Sequence, residues 1–178
     1  MDSINRQQPE DNREDLGGAA AVERIRDVVK KSETCFFCTA VSVGGSGATR
    51  PMSVRHVDDR GTLWFLSASD SRKNRELAGA PAARLFFQSS EHSGFLTLTG
   101  SATVTRDRKK IKALWGPLLK TWFTEGEDDP RITAIRVAPH GGYYWDNKHG
   151  NTVAGIKMLV GAAIGKTLDD SIEGKLAF

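Results

Sequence analysis

Three scarcities bound what this chain of 178 residues is: two cysteines, a formal net charge of only +3, and no long apolar run. With 25 basic against 22 acidic side chains, no field exists to make a polyanion the default partner, so neither nucleic acid nor an anionic membrane surface is expected. The most apolar stretch, residues 156–164, contains Lys157 and is far too short to cross a bilayer. Residues 1–18 are polar, with Asp2, Glu10, Asp11, Glu14 and Asp15 and no apolar core. A secretory signal is therefore not expected there; a mobile segment and a cytoplasmic protein are. The cysteines, Cys35 and Cys38, form a C-x-x-C inside a strand-like run, and a spacing of three on a strand sends the thiols to opposite faces. With no second pair to complete a tetrahedral site, both are expected to be buried structural thiols and no metal is expected. Internal repeats and low-complexity tracts are also lacking.

What is present suits one soluble domain: 39% hydrophobic and 26% charged residues, on a chain long enough to bury a core. Residues 19–31 place Val22, Ile25, Val28 and Val29 on one side of a helix. A strand follows over residues 35–43, Gly44 to Gly47 supplies a reversal, and residues 48–57 form a second strand. A turn at Asp58 to Gly61 precedes a third strand over residues 62–67, which predicts a three-stranded meander. After a short helix ending near Gly79, strands are predicted over residues 83–88 and 95–105, with a bulge at Gly100. Asp107 caps a helix that Gly116 and Pro117 must kink or break. Glu125 to Pro130 is an acidic loop, and residues 131–137 and 142–145 close the sheet as two strands. The expected architecture is mainly β, a β-barrel with peripheral helices over residues 19–146. Residues 147–178 form a C-terminal arm, helical in pattern and weakened by Gly155, Gly161 and Gly165, expected to order against a partner subunit.

The chemistry concentrates where a strand ending in Trp64-Phe65-Leu66-Ser67 runs into a helix opened by Ser71, Arg72 and Lys73. Cations in a first helical turn face the positive end of the helix dipole, an arrangement that an anion relieves. Exposed amides, the Ser71 hydroxyl and the charges of Arg72 and Lys73 make a phosphate cradle. The competing reading is three basic side chains solvated in water, partly offset by Asp70 and Glu76.

In order and spacing, Thr49-Arg50-Pro51-Met52-Ser53-Val54, Trp64 to Ser67, Ser71-Arg72-Lys73, Leu114-Trp115-Gly116-Pro117, Trp122-Phe123, Gly126 to Pro130 and Tyr144-Trp145-Asp146 resemble the FMN-binding split-barrel superfamily of pyridoxamine 5'-phosphate oxidase. The likeness is to its general stress protein 26 branch and covers residues 21–145. It implies an FMN phosphate held by Ser71, Arg72 and Lys73. It implies an isoalloxazine ring along Arg50, Pro51, Met52, Ser53 and Val54, contacts from Leu66 and Ser67, and a homodimer with the flavin between subunits. Trp145, and with it Trp115 and Trp122, would shield the ring from the partner side. Beside these stand plainer roles: Trp115 and Trp122 as core packing, Arg50 paired with an acid such as Asp58, and Arg55, His56 and His149 as ordinary polar residues.

Departures bear on catalysis. The Arg-x-His element with which the oxidases of this superfamily hold their substrate is missing, since Trp145 is followed by Asp146-Asn147-Lys148-His149. Phe95 stands where they place a flavin-contacting glutamine, so vitamin B6 oxidation is not expected. The resemblance implies a flavin-dependent oxidoreductase of unidentified small-molecule substrate, or a non-catalytic flavin carrier or sensor of stress. FAD or a deazaflavin satisfies the same cradle as FMN, and a nucleic-acid contact by the basic helix is a third reading.

Overall fold

The computed structural model describes residues 11–40, 49–91, 93–164, 168 and 170–178. The expected turn at Gly44 to Gly47 lies outside these. From the N-terminus the elements are β1 (Leu16–Gly17), α1 (Gly18–Ser32), β2 (Thr34–Thr39), β3 (Thr49–Ser53), β4 (His56–Val57) and β5 (Leu63–Ala68). There follow α2 (Arg72–Gly79), β6 (Ala82–Gln88), β7 (Phe95–Thr105), α3 (Arg108–Leu114), β8 (Ile132–Asn147), α4 (Asn151–Ile164) and β9 (Ser171–Ala177). Two single 3-10 turns, Pro117–Thr121 and Gly126–Asp128, link α3 to β8. The strands form one mixed sheet in the order β1-β9-β8-β7-β6-β2-β3, with β5 branching from β8 and β4 from β5.

Alternation drives this sheet. In β6 every second side chain, Ala83, Leu85 and Phe87, is buried, the period-two pattern of a strand with one face on a core. These meet Phe37 from β2, Leu63 and Phe65 from β5, Leu96 and Leu98 from β7, and Ala21, Ile25 and Val28 from α1. Phe37 and Phe65 pack edge to face at 5.3 Å between centroids, a favoured aromatic geometry. A second cluster, built on Leu66, Ile111, Leu114, Phe123, Ile132 and Ala134, packs α3 and its following turn against β5 and β8.

The expected meander is replaced. Residues 48–57 do not make one strand, because at Val54 and Arg55 the backbone changes partner: Val54 N–H donates to Glu33 O at 2.9 Å and Arg55 N–H to Trp64 O at 2.7 Å. β3 pairs with β2, while β4 pairs with β5, and β2 turns its other edge to β6. The covalent chain, not a hydrogen-bonded ladder, thus joins the two ends of the sheet and leaves a seam between β3 and β5. The two closing strands predicted over residues 131–145 are instead one 16-residue strand, β8, whose middle is held by the bulge between Thr99 and Gly100. A Cβ at Gly100 would lie 2.5 Å from Ala138 O, which is why the bulge needs glycine. Asp107 caps α3 by accepting from Lys109 and Lys110 N–H, and the helix breaks before Gly116 and Pro117 as their chemistry requires.

The two thiols do point to opposite faces. Cys35 is buried, and burial, with Cys38 adding to it, pushes its thiol up to about 12. Cys38 is only half-buried and lies 3.1 Å from Thr49 Oγ1, so the expectation of two buried thiols holds for Cys35 alone.

Both ends of the chain are tied into the sheet. Near the N-terminus Arg13 makes a parallel β-bridge to Glu173 and β1 lies parallel to β9. The C-terminal arm contains α4 as its pattern suggested, but its last strand, β9, pairs antiparallel with β8 of the same chain. A buried carboxylate latches this arm: Asp170 accepts from His149 Nδ1 at 2.7 Å, His149 N–H at 2.9 Å and Lys157 Nζ at 2.7 Å. Burial raises its affinity for a proton, yet these donors outweigh burial and bring its pKa down to about 2. A depressed folded pKa stabilises above the ordinary carboxylate range and loses that stabilisation as pH falls toward about 2. Asp170→Asn should therefore make α4 and β9 exchange amide protons faster at neutral pH, and should remove the acid-dependent loosening of the parent protein; unchanged exchange would show that the latch holds nothing.

Candidate functional site

β5 and α2 meet at a corner built from hydroxyls. Ser67, buried at the end of β5, lies with its Oγ 3.0 Å from Ser71 Oγ. Ser71 caps α2 by accepting the Asn74 N–H, which leaves the first turn of α2 open at this corner. Lys73 enters the same corner half-buried. Among the described residues its ammonium has no ion-pair or hydrogen-bond partner, and its pKa is lowered first by burial and then by the Arg50 charge, with Glu76 opposing. A desolvated, unpaired cation beside two hydroxyls is a site short of an anion.

Arg50 does not supply that anion's second clamp. Its Nη1 donates to Glu76 Oε2 at 2.6 Å, and Thr39 Oγ1 donates to the same oxygen at 2.7 Å. The Arg50 hydrogen bond is the chief reason Glu76 sits below the usual carboxylate range, against the effect of its burial. The acid that pairs with Arg50 is thus Glu76 and not Asp58, whose carboxylate instead takes Arg60 and Thr62 N–H and Trp64 Nε1.

The corner opens into a cleft of about 520 Å³ along the seam between β3 and β5. Of the residues singled out in the sequence, Pro51, Met52, Ser53, Leu66, Ser67, Ser71, Lys73 and Trp122 line it. Five do not. Arg50 is turned to Glu76, Val54 packs on the core, and Arg72 is exposed. Trp115 packs on Phe123 at 6.4 Å between centroids, within the second cluster. Trp145 lies against Tyr143 and lines a different groove. The packing role weighed for both tryptophans therefore fits Trp115 but not Trp122, which is 67% exposed at the cleft mouth.

Sequence reasoning missed Arg55, which it took for an ordinary surface side chain. Arg55 lines the cleft, and its Nε donates to Leu114 O at 3.1 Å, tying the cleft rim to the break after α3. A Cβ at Gly116 would come within 2.5 Å of Arg55 Nη2, so this glycine makes room for the guanidinium. His56 and His149 do not line the cleft.

A family model described as "Pyridoxamine 5'-phosphate oxidase like" matches residues 20–169, which takes in β2 to β8, the corner and the cleft. The chain belongs to the pyridoxamine 5'-phosphate oxidase-like family. Protein bli-3 of Neurospora crassa is 28% identical over 83 residues, 42% of this chain and 40% of that protein, so the match spans less than half of the curated relative's length. Among solved structures, a candidate general stress protein 26 from Jannaschia sp. CCS1 superposes with a TM-score of 0.69 at 22% identity, covering 88% of this chain and 95% of that one. The general stress protein 26 of Bacillus anthracis str. Sterne gives 0.60 at 19% identity over 69% and 92% of the two chains. The general stress FMN/FAD binding protein of Xanthomonas citri gives 0.57 at 22% identity over 67% and 82%. At these identities the likeness is one of fold, the split-barrel arrangement of this oxidase-like family.

Proposed function

We propose that this protein holds FMN in the cleft between β3 and β5 and uses it as an oxidoreductase on a small molecule. The observation that carries the reading is Lys73: a half-buried cation, unpaired among the described residues, beside the Ser67 and Ser71 hydroxyls. A phosphate monoester meets that need with a double charge and several acceptor oxygens. Pro51, Met52, Leu66 and Trp122 offer the apolar and aromatic walls suited to a flavin ring. A bound flavin supplies hydride or single-electron transfer at its own ring, so the protein's part is to bind, orient and shield it. The lining contains no Asp, Glu, His or Cys among the described residues, which is compatible with chemistry resident in the cofactor.

The reading includes a homodimer working in the cytoplasm. Phe36, 61% exposed, and Phe86 stand on the outer face of β2 and β6. They border a groove of about 610 Å³ that also takes Phe95 and Trp145, and Pro51 lines both this groove and the cleft. A second copy over that face would cover the exposed aromatics and close the cleft from the side on which Trp145 lies.

The purified protein is expected to be yellow, and mass spectrometry of the released cofactor to give FMN in place of FAD or a deazaflavin. NADH or NADPH is expected to bleach the bound flavin within seconds, with turnover on adding a quinone-like acceptor. A stable flavin complex that neither nicotinamide reduces would favour the carrier or sensor role; failure to bind any flavin would end the reading.

A further inference from the structure

α4 carries its amphipathicity inverted. Ala154, Lys157 and Gly161, which share one stripe of the helix, are its least exposed described residues, and Lys157 is pinned there by the wholly buried carboxylate of Asp170. The other side of the helix is apolar and open to solvent: Ile156 is 57% exposed, Met158 70%, Leu159 75% and Ile164 56%, with Val153 and Val160 beside them. Residues 151–164 carry no charge besides Lys157. A surface helix ordinarily turns its apolar stripe to the core and its charges to water. A helix that does the reverse marks a surface that something else covers.

The same chain holds an uncovered hollow of matching chemistry. Register places Pro51, Phe36 and Phe86 in one row across β3, β2 and β6, and Phe95 and Trp145 in the next row across β7 and β8. All five line the groove of about 610 Å³ on the outer face. Among the described residues no charged side chain lines it, and α4 leaves the sheet from the end of β8 that carries Trp145. Because the outward side of α4 stays exposed, the helix does not fill the groove of its own chain.

We propose, resting on the homodimer put forward above, that α4 of each copy seats in the aromatic groove of the other, with Ile156, Leu159, Val160 and Ile164 as the inserted side chains. These recur at the i, i+3, i+4, i+8 spacing by which an amphipathic helix lies in an apolar groove. The arrangement covers both open apolar surfaces at once, and it closes at two copies because each supplies the helix that the other receives. The outward side of α4 and the groove aromatics together offer on the order of 800 Å² per copy, the share that a standard interface takes from each partner. An uncharged helix face suits an uncharged groove. An anionic membrane surface would ask for Lys or Arg along the exposed side, whereas Lys157 is held by Asp170 on the inward side. Pro51 lines both the groove and the cleft, so the seated helix would wall the flavin site from the partner's side.

Light scattering of the full chain over a range of concentrations tests this, and it reads mass without reference to flavin. The parent should be a dimer. Leu159→Glu and Phe36→Lys should each raise its dissociation constant about 100-fold or more, since each puts a charge into both symmetric contacts. Both residues are exposed in the single copy, so each variant should keep the parent's circular dichroism. Mixing the two variants should restore dimers, because the mixture holds one native contact and one in which the new carboxylate meets the new ammonium. A dimer that Leu159→Glu leaves intact would overturn the seating of α4; if Phe36→Lys breaks that dimer, the homodimer reading still stands. Dissociation by Leu159→Glu but not by Phe36→Lys would mean that α4 pairs elsewhere, and a mixture that stays monomeric would mean that helix and groove do not meet. Either result overturns the proposal. A monomeric parent would end both the homodimer and this seating, and flotation of that monomer with phosphatidylcholine vesicles, lost in Leu159→Glu, would assign the exposed side of α4 to a lipid surface.

Discussion

Lys73→Ala should release flavin from the purified protein, raising the dissociation constant about 10- to 100-fold, the effect of losing a hydrogen bond to a charged group. Arg72→Ala should do little by itself, because Arg72 is exposed and does not line the cleft. The double variant should be colourless while keeping the circular dichroism of a folded barrel. If the Lys73 variant stays as yellow as the parent, the corner between β5 and α2 is not the phosphate site. A pH signature accompanies this. In the empty protein, burial and Arg50 lower the Lys73 pKa, whereas a bound dianion would raise it again. Flavin affinity should then fall as pH rises through the lowered value, because binding takes up a proton there. Stability of the flavin-free protein should move the other way over the same alkaline window, since the unfolded chain holds the Lys73 proton to higher pH than the folded one. Fluorescence of released flavin and thermal melts against pH read the two trends.

Glu76→Ala should lower stability by about 3 kcal/mol, the lower edge of the range for breaking a buried ion pair. The side chain of Glu76 is 3% exposed and accepts from both Arg50 and Thr39, and its loss strands the Arg50 guanidinium. Arg50 is partly reached by water, which keeps the cost near that lower edge. In a chain of this size the melting temperature should drop by about 6–12 °C. Glu76→Gln keeps the volume and one acceptor, so it should fall between the two. A Glu76→Ala protein that melts like the parent would mean that Arg50 finds another partner at no cost.

These two residues mark how far the site was readable beforehand. Lys73 was visible because a cation in a first helical turn after a strand is a local anomaly, and local anomalies survive in a linear pattern. Arg50 was a candidate only through the family resemblance, and its partner was not visible: Glu76 lies 26 positions away, and only the crossing of β3 and α2 brings them together. Trp115 and Trp122 carry the same packing expectation in the sequence and part company in the structure. Gly116 and Pro117 end α3 between them, so Trp115 packs on Phe123 while Trp122 turns to the cleft. Arg55 was passed over because nothing in a run of residues tells a solvated arginine from one that reaches across to Leu114 O.

By itself the sequence determined the elements whose causes are short-range. Among these are the amphipathic α1, the alternating β6 and β7, the cap at Asp107, the bulge at Gly100 and the opposite faces of Cys35 and Cys38. Each follows from spacing, backbone freedom or a hydrogen bond within a few residues. The tertiary structure alone decided that the chain changes strand partner at Val54, that β9 returns to β8, that Glu76 takes Arg50, and that α4 turns its apolar side outward. Those depend on which distant surfaces meet, and meeting is set by burial of the whole apolar face at once, a quantity that no local stretch of residues contains.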